Sequence, residues 1–373
     1  MQCDCIGVDT EGDSLFSYKE QVSLIQISGQ ISGDDKNYIF DPLLLDTLQP
    51  LAPLFANRAI LKIFHGSDYD VVSLKRDFQF EIGPIFDTAL AARAIGMKQF
   101  SLQSLIENYF QVTLAKKYQK ANWKLRPLSK EQLDYASLDT AYLISLYKIL
   151  SAEIEKKGRS DQIEEECRLM EAITWSGKEF EPNDYIRIKG ARGLSEQEQK
   201  ILRALITARD ELACERNYPP FKIISSRHLI LMAENAPQNK AALMALFPKK
   251  NMAVIKHCER WLAATQAGLE TNDPLPGRVK SNNGPLTNSQ EKLLKALKIW
   301  RNKQAEDESL EPAMVLTSSV LKEVAREKPK NLESLASIPL IREWQIKRYG
   351  EGLLQAVHQK TNDSDRNSNT SAS

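Results

Sequence analysis

Up to about residue 155 the chain alternates short apolar runs with amphipathic stretches, and beyond about Lys156 helical spacing takes over. In the first part, Cys5-Ile6-Gly7-Val8, Val22–Ser28, Asn37–Asp41, Ala59–Phe64 and Ile82–Asp87 have the length and apolar content of strands. Between them Leu44–Phe55, Asp70–Phe78 and Thr88–Gly96 carry helical spacing, with Asp87 placed to start the last of these. Such alternation predicts an α/β layer fold with a mixed sheet and flanking helices.

The second half repeats itself. Leu202-Arg203-Ala204-Leu205 matches Leu294-Lys295-Ala296-Leu297; Arg209, Pro220, Ser226, Leu229, Ala233, Pro237 and Leu243 match Arg301, Pro312, Ser318, Leu321, Ala325, Pro329 and Leu335, every pair 92 residues apart. This predicts two copies of one all-helical module, over 195–267 and 288–360, after a first domain over 1–155. A Pro/Gly/Asn-rich linker joins the copies, and the polar residues 361–373 are expected to be a disordered tail.

Composition changes this picture little: 42% apolar and 27% charged residues are ordinary for a globular protein. No apolar run approaches the ~20 residues of a membrane span. Five cysteines (Cys3, Cys5, Cys167, Cys214 and Cys258) without metal-type pairs point to reduced thiols and a cytoplasmic setting. Charge distribution says more. The net charge of +1 divides into about −3 over residues 1–150 and about +4 over the rest. Between Val112 and Lys130 all charged residues are positive: Lys116, Lys117, Lys120, Lys124, Arg126 and Lys130. This run, just ahead of the segment with Tyr135 and Asp139, reads either as a solvated face or as a phosphate-contacting surface. The second helical copy is the more basic, with Lys292, Lys295, Lys298, Arg301 and Lys303 on its first helix and Lys347 and Arg348 near its end.

Candidate chemistry lies in three short segments: CIGVDTEGD with Asp9 and Glu11, HGSDYD with Asp70, and YASLD with Tyr135 and Asp139. Asp9 and Glu11 alternate along a strand and share a face. Asp70 opens a helical segment after a strand, and Tyr135 and Asp139 are i and i+4 on one helix face. Clustered carboxylates cannot all stay ionised unless cations sit among them, and hard oxygen sites suit Mg²⁺ or Mn²⁺. Two such ions serve in-line attack of water on a phosphodiester.

This order of acids, with SLQSLIENYF and NWKLRPLSKEQLDYASLD and an all-helical second half, resembles the ribonuclease D family, in the DEDDy branch of the 3′→5′ exonucleases. The resemblance covers the chain from Asp9 to about Gln359 and implies a ribonuclease-H-like exonuclease domain followed by two HRDC domains. It implies two divalent metal ions, with Asp9 bridging them, Glu11 and Asp139 on the water-activating ion, Asp70 on the ion at the leaving oxygen, and Tyr135 orienting water. Asp68 is the alternative to Asp70, and the family's spacing from His65 favours Asp70. Gln26, His65, Trp123, Lys124 and Arg126 are candidate RNA contacts, each with a competing reading as a buried or structural group. The implied partner is RNA with a free 3′ end, such as tRNA precursors, trimmed to nucleoside 5′-monophosphates, with no membrane. A DNA exonuclease and a catalytically weak RNA-binding module are the competing functions. Only eight residues precede Asp9, fewer than the family usually carries, so a start upstream or a truncated chain is expected.

Overall fold

A computed structural model describes residues 4–31, 34–114, 117–177, 180–247, 252–276 and 284–369. Strands β1 (Cys5–Gly12), β2 (Val22–Ile31), β3 (Asp34–Phe40), β4 (Leu61–Phe64) and β5 (Ile85–Asp87) form one sheet of order β3-β2-β1-β4-β5. β2 runs antiparallel to β1 and β3, while β4 and β5 run parallel to the β1 side, so the sheet is mixed as expected. Helices α1 (Ala52–Ala56), α2 (Asp68–Phe78), α3 (Thr88–Ala94), α4 (Leu102–Phe110), α5 (Lys130–Ala141), α6 (Leu143–Lys156) and α7 (Ser160–Glu171) surround it.

Alternation along β1 sorts the two faces. Ile6 and Val8 turn to a core with Phe55, Phe64, Val71 and Leu74, beneath α1 and α2. Gly7, Asp9 and Glu11 turn the other way, toward α5 and α6. At Gly7 the sheet and the α5–α6 junction come too close for a side chain: a Cβ would stand 2.5 Å from Ser28 Oγ, 3.0 Å from the Thr140 carbonyl and 3.1 Å from Leu143 Cβ. The absent side chain at Gly7 lets the end of α5, with Asp139, settle against β1.

Two expectations need correction. Leu44–Phe55 is not one helix: a 3-10 turn over Gln49–Leu51 leads into α1, and Leu44 and Leu45 are exposed. Pro50 and Pro53 cannot donate backbone bonds, which confines the helix to the residues they start. The last helix runs to Asn369, beyond the 360 at which the second module is expected to end; residues 370–373 lie outside the described ones, as do Cys3 and Lys116. Strand β2 also outruns the expected Ser28, and β3 starts before Asn37, because their pairing continues through Ile31 and Asp34.

The helical half follows the repeat. The first copy holds α8 (Glu196–Arg216), α9 (Pro220–Ile223), α10 (Ser226–Asn235), α11 (Lys240–Ala245), α12 (Met252–Lys256) and α13 (Cys258–Glu270). The second holds α14 (Asn288–Asp307), α15 (Pro312–Val315), α16 (Ser318–Glu327), α17 (Leu332–Ala336) and α18 (Glu343–Asn369). The caps repeat with the helices: Ser195 and Thr287, Ser225 and Thr317, and Asn239 and Asn331 each accept from the first-turn N–H groups. Arg209 and Arg301 repeat a bond to Ser226 and Ser318.

Both copies hold the first domain by the same edge. In the first, Asn217 accepts from the Tyr18 N–H at 3.1 Å, Asp210 accepts from the Tyr18 hydroxyl at 2.6 Å, and Lys222 Nζ stands 4.0 Å over the Phe16 ring. In the second, the corresponding edge meets α3: Glu311 pairs with Arg93 at 3.1 Å, and a Cβ at Gly96 would lie 2.6 Å from the Ser309 carbonyl. The second copy also meets α7, where Arg159 pairs with Glu308 at 2.6 Å and Arg342 with Glu166 at 3.1 Å, and its apolar core is continuous with that of α3, α6 and α7.

Candidate active site

Asp9 and Glu11 come from the end of β1 and Asp139 from the last turns of α5, and their nearest carboxylate oxygens all lie within 4.8 Å of one another. α5 is held in place from both ends. Ser129 and Gln132 form a reciprocal capping box at its start, and the loop before it is pinned by Arg126, whose guanidinium meets both Asp41 oxygens at 2.6 and 2.7 Å and the Ser23 carbonyl at 2.8 Å. At its other end the Thr140 carbonyl accepts from Ser28 Oγ at 2.8 Å.

Asp70 arrives from the opposite layer. Asp87, buried at the start of α3, accepts from Gly66 N at 3.1 Å, Ser67 N at 2.7 Å and Ser67 Oγ at 2.9 Å, and so fixes the entry to α2. Asp70 then sits in the first turn of α2, buried, and accepts from Thr10 Oγ1. Asp68, one turn face away, is exposed to solvent. Of the two acids in HGSDYD, Asp70 is the buried one, and its charge bears on Asp9 and Glu11.

The charges crowd one another. Burial, then the carboxylates of Asp70, Asp139 and Glu11, raise the Asp9 carboxyl far above its ordinary range. Burial and the charges of Asp139 and Asp70 push Glu11 up to about 9. Burial lifts Asp70 to about 7 against the hydrogen bond from Thr10, and Asp139 to about 7 against that from Tyr135. Tyr135 is itself raised by burial and by Asp139, which keeps its phenol protonated. The charges that act most on Asp9 are other carboxylates, so a divalent cation is the counter-charge this donor set fits.

Asp9, Glu11, Tyr135 and Asp139 line a cleft of about 550 Å³, together with Thr10, His65, Ser101, Gln103 and Gln119. A smaller cleft of about 220 Å³ adjoins it through Thr10, Glu11 and Gln119 and leads past Tyr69 to Lys120. His65 bonds Thr88 Oγ1 at 2.9 Å, and burial lowers its pKa, so it presents a neutral ring to the cleft.

Four expected RNA contacts are elsewhere. Trp123 is 1% exposed and packs with Leu24 and Ala136, so no base can stack on it. Arg126 spends its guanidinium on Asp41 and backbone carbonyls. Lys124 Nζ bonds the Phe16 carbonyl and Ser17 Oγ, both at 3.1 Å. Gln26 is 0% exposed and cannot meet a nucleotide. Conversely, Thr10 was not legible as a site residue: alternation turns it away from Asp9 and Glu11, and only the second layer brings Asp70 to its hydroxyl.

Comparison with known proteins agrees with this geometry. Residues 1–155 match the 3′-5′ exonuclease family, and residues 198–265 and 290–357 each match the HRDC domain. Ribonuclease D of Haemophilus influenzae is 28% identical over 87% of this chain and 80% of its own length. Ribonuclease D of Bartonella henselae is 27% identical over 96% of this chain and 86% of its own. Among solved structures, the catalytic core of RRP6 from Trypanosoma brucei is 26% identical with a TM-score of 0.62, covering 71% of this chain and 74% of that one. The fold of Escherichia coli RNase D is shared over 95% of this chain and 93% of that one, with a TM-score of 0.69 at 24% identity. An exonuclease domain built around an acid cluster, two HRDC domains and relatives that match most of its length mark this chain as a 3′→5′ exoribonuclease similar to the ribonuclease D enzymes.

Proposed function

We propose that this protein removes nucleotides one at a time from the free 3′ ends of tRNA precursors and other structured RNAs, releasing nucleoside 5′-monophosphates with the help of two divalent cations, Mg²⁺ or Mn²⁺. The observation that carries the reading is the meeting of Asp9, Glu11 and Asp139 within 4.8 Å on the floor of an open cleft, with Asp70 beside them. Cations bound there supply the charge that activates water and stabilises the leaving oxygen. Asp9, Glu11 and Asp139 would hold one ion, and Asp9 with Asp70 the other. Tyr135, protonated and hydrogen-bonded to Asp139, has its hydroxyl at the cleft wall to orient the attacking water. His65, neutral, adds a polar wall without competing for the cations. Lys120 at the rim of the adjoining cleft offers a phosphate contact. The tRNA-type substrate follows the family. The thiols of Cys167, Cys214 and Cys258, in no disulfide, suit a cytoplasmic setting, and no described helix is long and apolar enough to cross a membrane.

The test is a time course on matched 3′-tailed RNA and DNA, with free or blocked 3′ ends, in Mg²⁺, Mn²⁺ or EDTA. Mononucleotides from the free RNA end, abolished by EDTA and by the block, are expected. Undiminished activity in EDTA, or oligonucleotides from the blocked substrate, would contradict the proposal, and a clear preference for the DNA would move it to a DNA exonuclease.

A further inference from the structure

Gln26 presents a problem that the proposed reaction does not resolve. Its side chain is 0% exposed, and neither its Nε2 nor its Oε1 has a hydrogen-bond partner. Leaving such a group unsatisfied is costly and uncommon, so a buried orphan amide calls for a reason. Its position supplies one. In the antiparallel pairing of β1 and β2, Gln26 stands directly opposite Asp9, and opposed side chains share a face with Cβ atoms roughly 4.5–5.5 Å apart. Its neighbours along β2 on that face are Leu24, packed under Trp123 and Ala136, and Ser28, bonded to the end of α5. The amide is therefore roofed by the helix that carries Tyr135 and Asp139, behind the carboxylate at the centre of the cluster. A second orphan lies in the same patch: the indole Nε1 of Trp123, buried and without a partner. One amide complements both, since its oxygen can accept from an indole N–H while its nitrogen donates to a carboxylate.

We infer that Gln26 is a positioning residue whose amide, unpartnered in the metal-free protein, takes up the Asp9 carboxylate from behind once cations bind, so that the outward lone pairs of Asp9 face them. The inference rests on the proposed metal-dependent reaction. Outer partners of metal-ligating carboxylates typically change affinity or activity on the order of 10–100-fold when removed. The amide does not reach the cleft surface, so its loss acts on the cations and on the reaction rate and leaves RNA binding alone.

The experiment compares Gln26→Met and Gln26→Leu with the full-length wild type in Mn²⁺ binding, thermal melting and steady-state kinetics. Mn²⁺ affinity is measured by calorimetry without RNA. Both variants should melt, free of metal, at or above the wild-type temperature, because an unsatisfied amide has been replaced by apolar groups of similar size. Mn²⁺ should bind on the order of tenfold or more weakly, and kcat should fall with KM for RNA unchanged. Wild-type Mn²⁺ affinity in variants that fold overturns the inference and leaves the proposed reaction standing. A wild type that binds no Mn²⁺ overturns both. Loss of folding in both variants also overturns the inference, since it would give the amide a purely structural duty.

Discussion

Thr10 bonds Asp70 on the α2 side of the sheet while its two neighbours in sequence point to the other side, so one residue ties the acids of β1 to the acid of α2. Thr10→Val keeps the shape and removes the hydroxyl. It should lower kcat on the order of 10–100-fold and weaken Mn²⁺ binding, whereas Thr10→Ser should retain most of both; equal losses in the two variants would mean that packing and not the bond is at work. The acids themselves make a prediction of sign. Their carboxyls hold protons more tightly in the folded chain than in the unfolded one, with Asp70 and Asp139 raised to about 7 and Glu11 to about 9. As far as these groups decide, the metal-free protein is therefore most stable below about pH 4, under the unfolded carboxylate range, and loses that contribution as pH rises toward 7 and then 9. Cation binding displaces the same protons, so the rise in melting temperature on adding Mn²⁺ should be larger near pH 8 than near pH 6. A rise independent of pH would contradict the assignment. Asp9→Asn, Glu11→Gln, Asp70→Asn and Asp139→Asn should each remove most activity and nonetheless melt at or above wild type without metal, because each relieves repulsion. Asp68→Asn, a change in solvent, should stay active.

At the scale of elements, the site depends on how closely α5 approaches β1. Gly7→Ala would push a methyl into Ser28, Thr140 and Leu143. Overpacking of this kind costs about 1–3 kcal/mol. Because the carbonyl of Thr140 is backbone, the end of α5 must give way and carry Asp139 with it. The melting temperature should fall, and Mn²⁺ affinity at a temperature where the variant is fully folded should fall as well; a folded variant with wild-type affinity would show that the approach is slack. What the sequence reveals here follows from range. The β1 acids, the i and i+4 pairing of Tyr135 and Asp139, the cap at Asp87 and the two helical copies are local or strictly periodic, and all were readable. In the loop between Val112 and Lys130 the choice between ligand contact and structural group stayed open at Lys124 and Arg126 because their partners are remote: Arg126 meets Asp41 across 85 positions and Lys124 meets Phe16 across 108. Lysine, arginine and tryptophan in a basic loop look like ligand contacts until such partners are known. Leu44 and Leu45 misled in the other direction, as apolar residues that remain exposed.

At the scale of the whole molecule, the two HRDC domains are parts of the scaffold as well as candidate RNA carriers. The basic residues near the end of the second are committed to the exonuclease domain, with Lys347 and Arg348 reaching Asp161 at 3.4 and 3.5 Å. Arg301 is turned inward to the Leu316 carbonyl and Ser318. By contrast Lys292, Lys295, Lys298 and Lys303 on α14 are exposed. Removing residues 286–373 would strip a shared apolar core and several ion pairs at once, so it should lower the melting temperature of what remains and mix stability with binding. Replacing the four exposed lysines by glutamine separates the two. The interface is untouched, so the melting temperature should stay within about a degree or two, as surface changes usually alter stability by less than about 0.5 kcal/mol. Phosphate attraction is lost, so KM for RNA should rise at low salt while the single-turnover rate at saturating RNA stays unchanged. If all four lysines meet phosphates, the slope of log affinity against log salt should flatten by about 3, from roughly 0.7 per contact on single strands. An unaltered KM and salt slope would place RNA capture elsewhere, at the edge of the first copy where Lys222 stands over Phe16 beside the cleft.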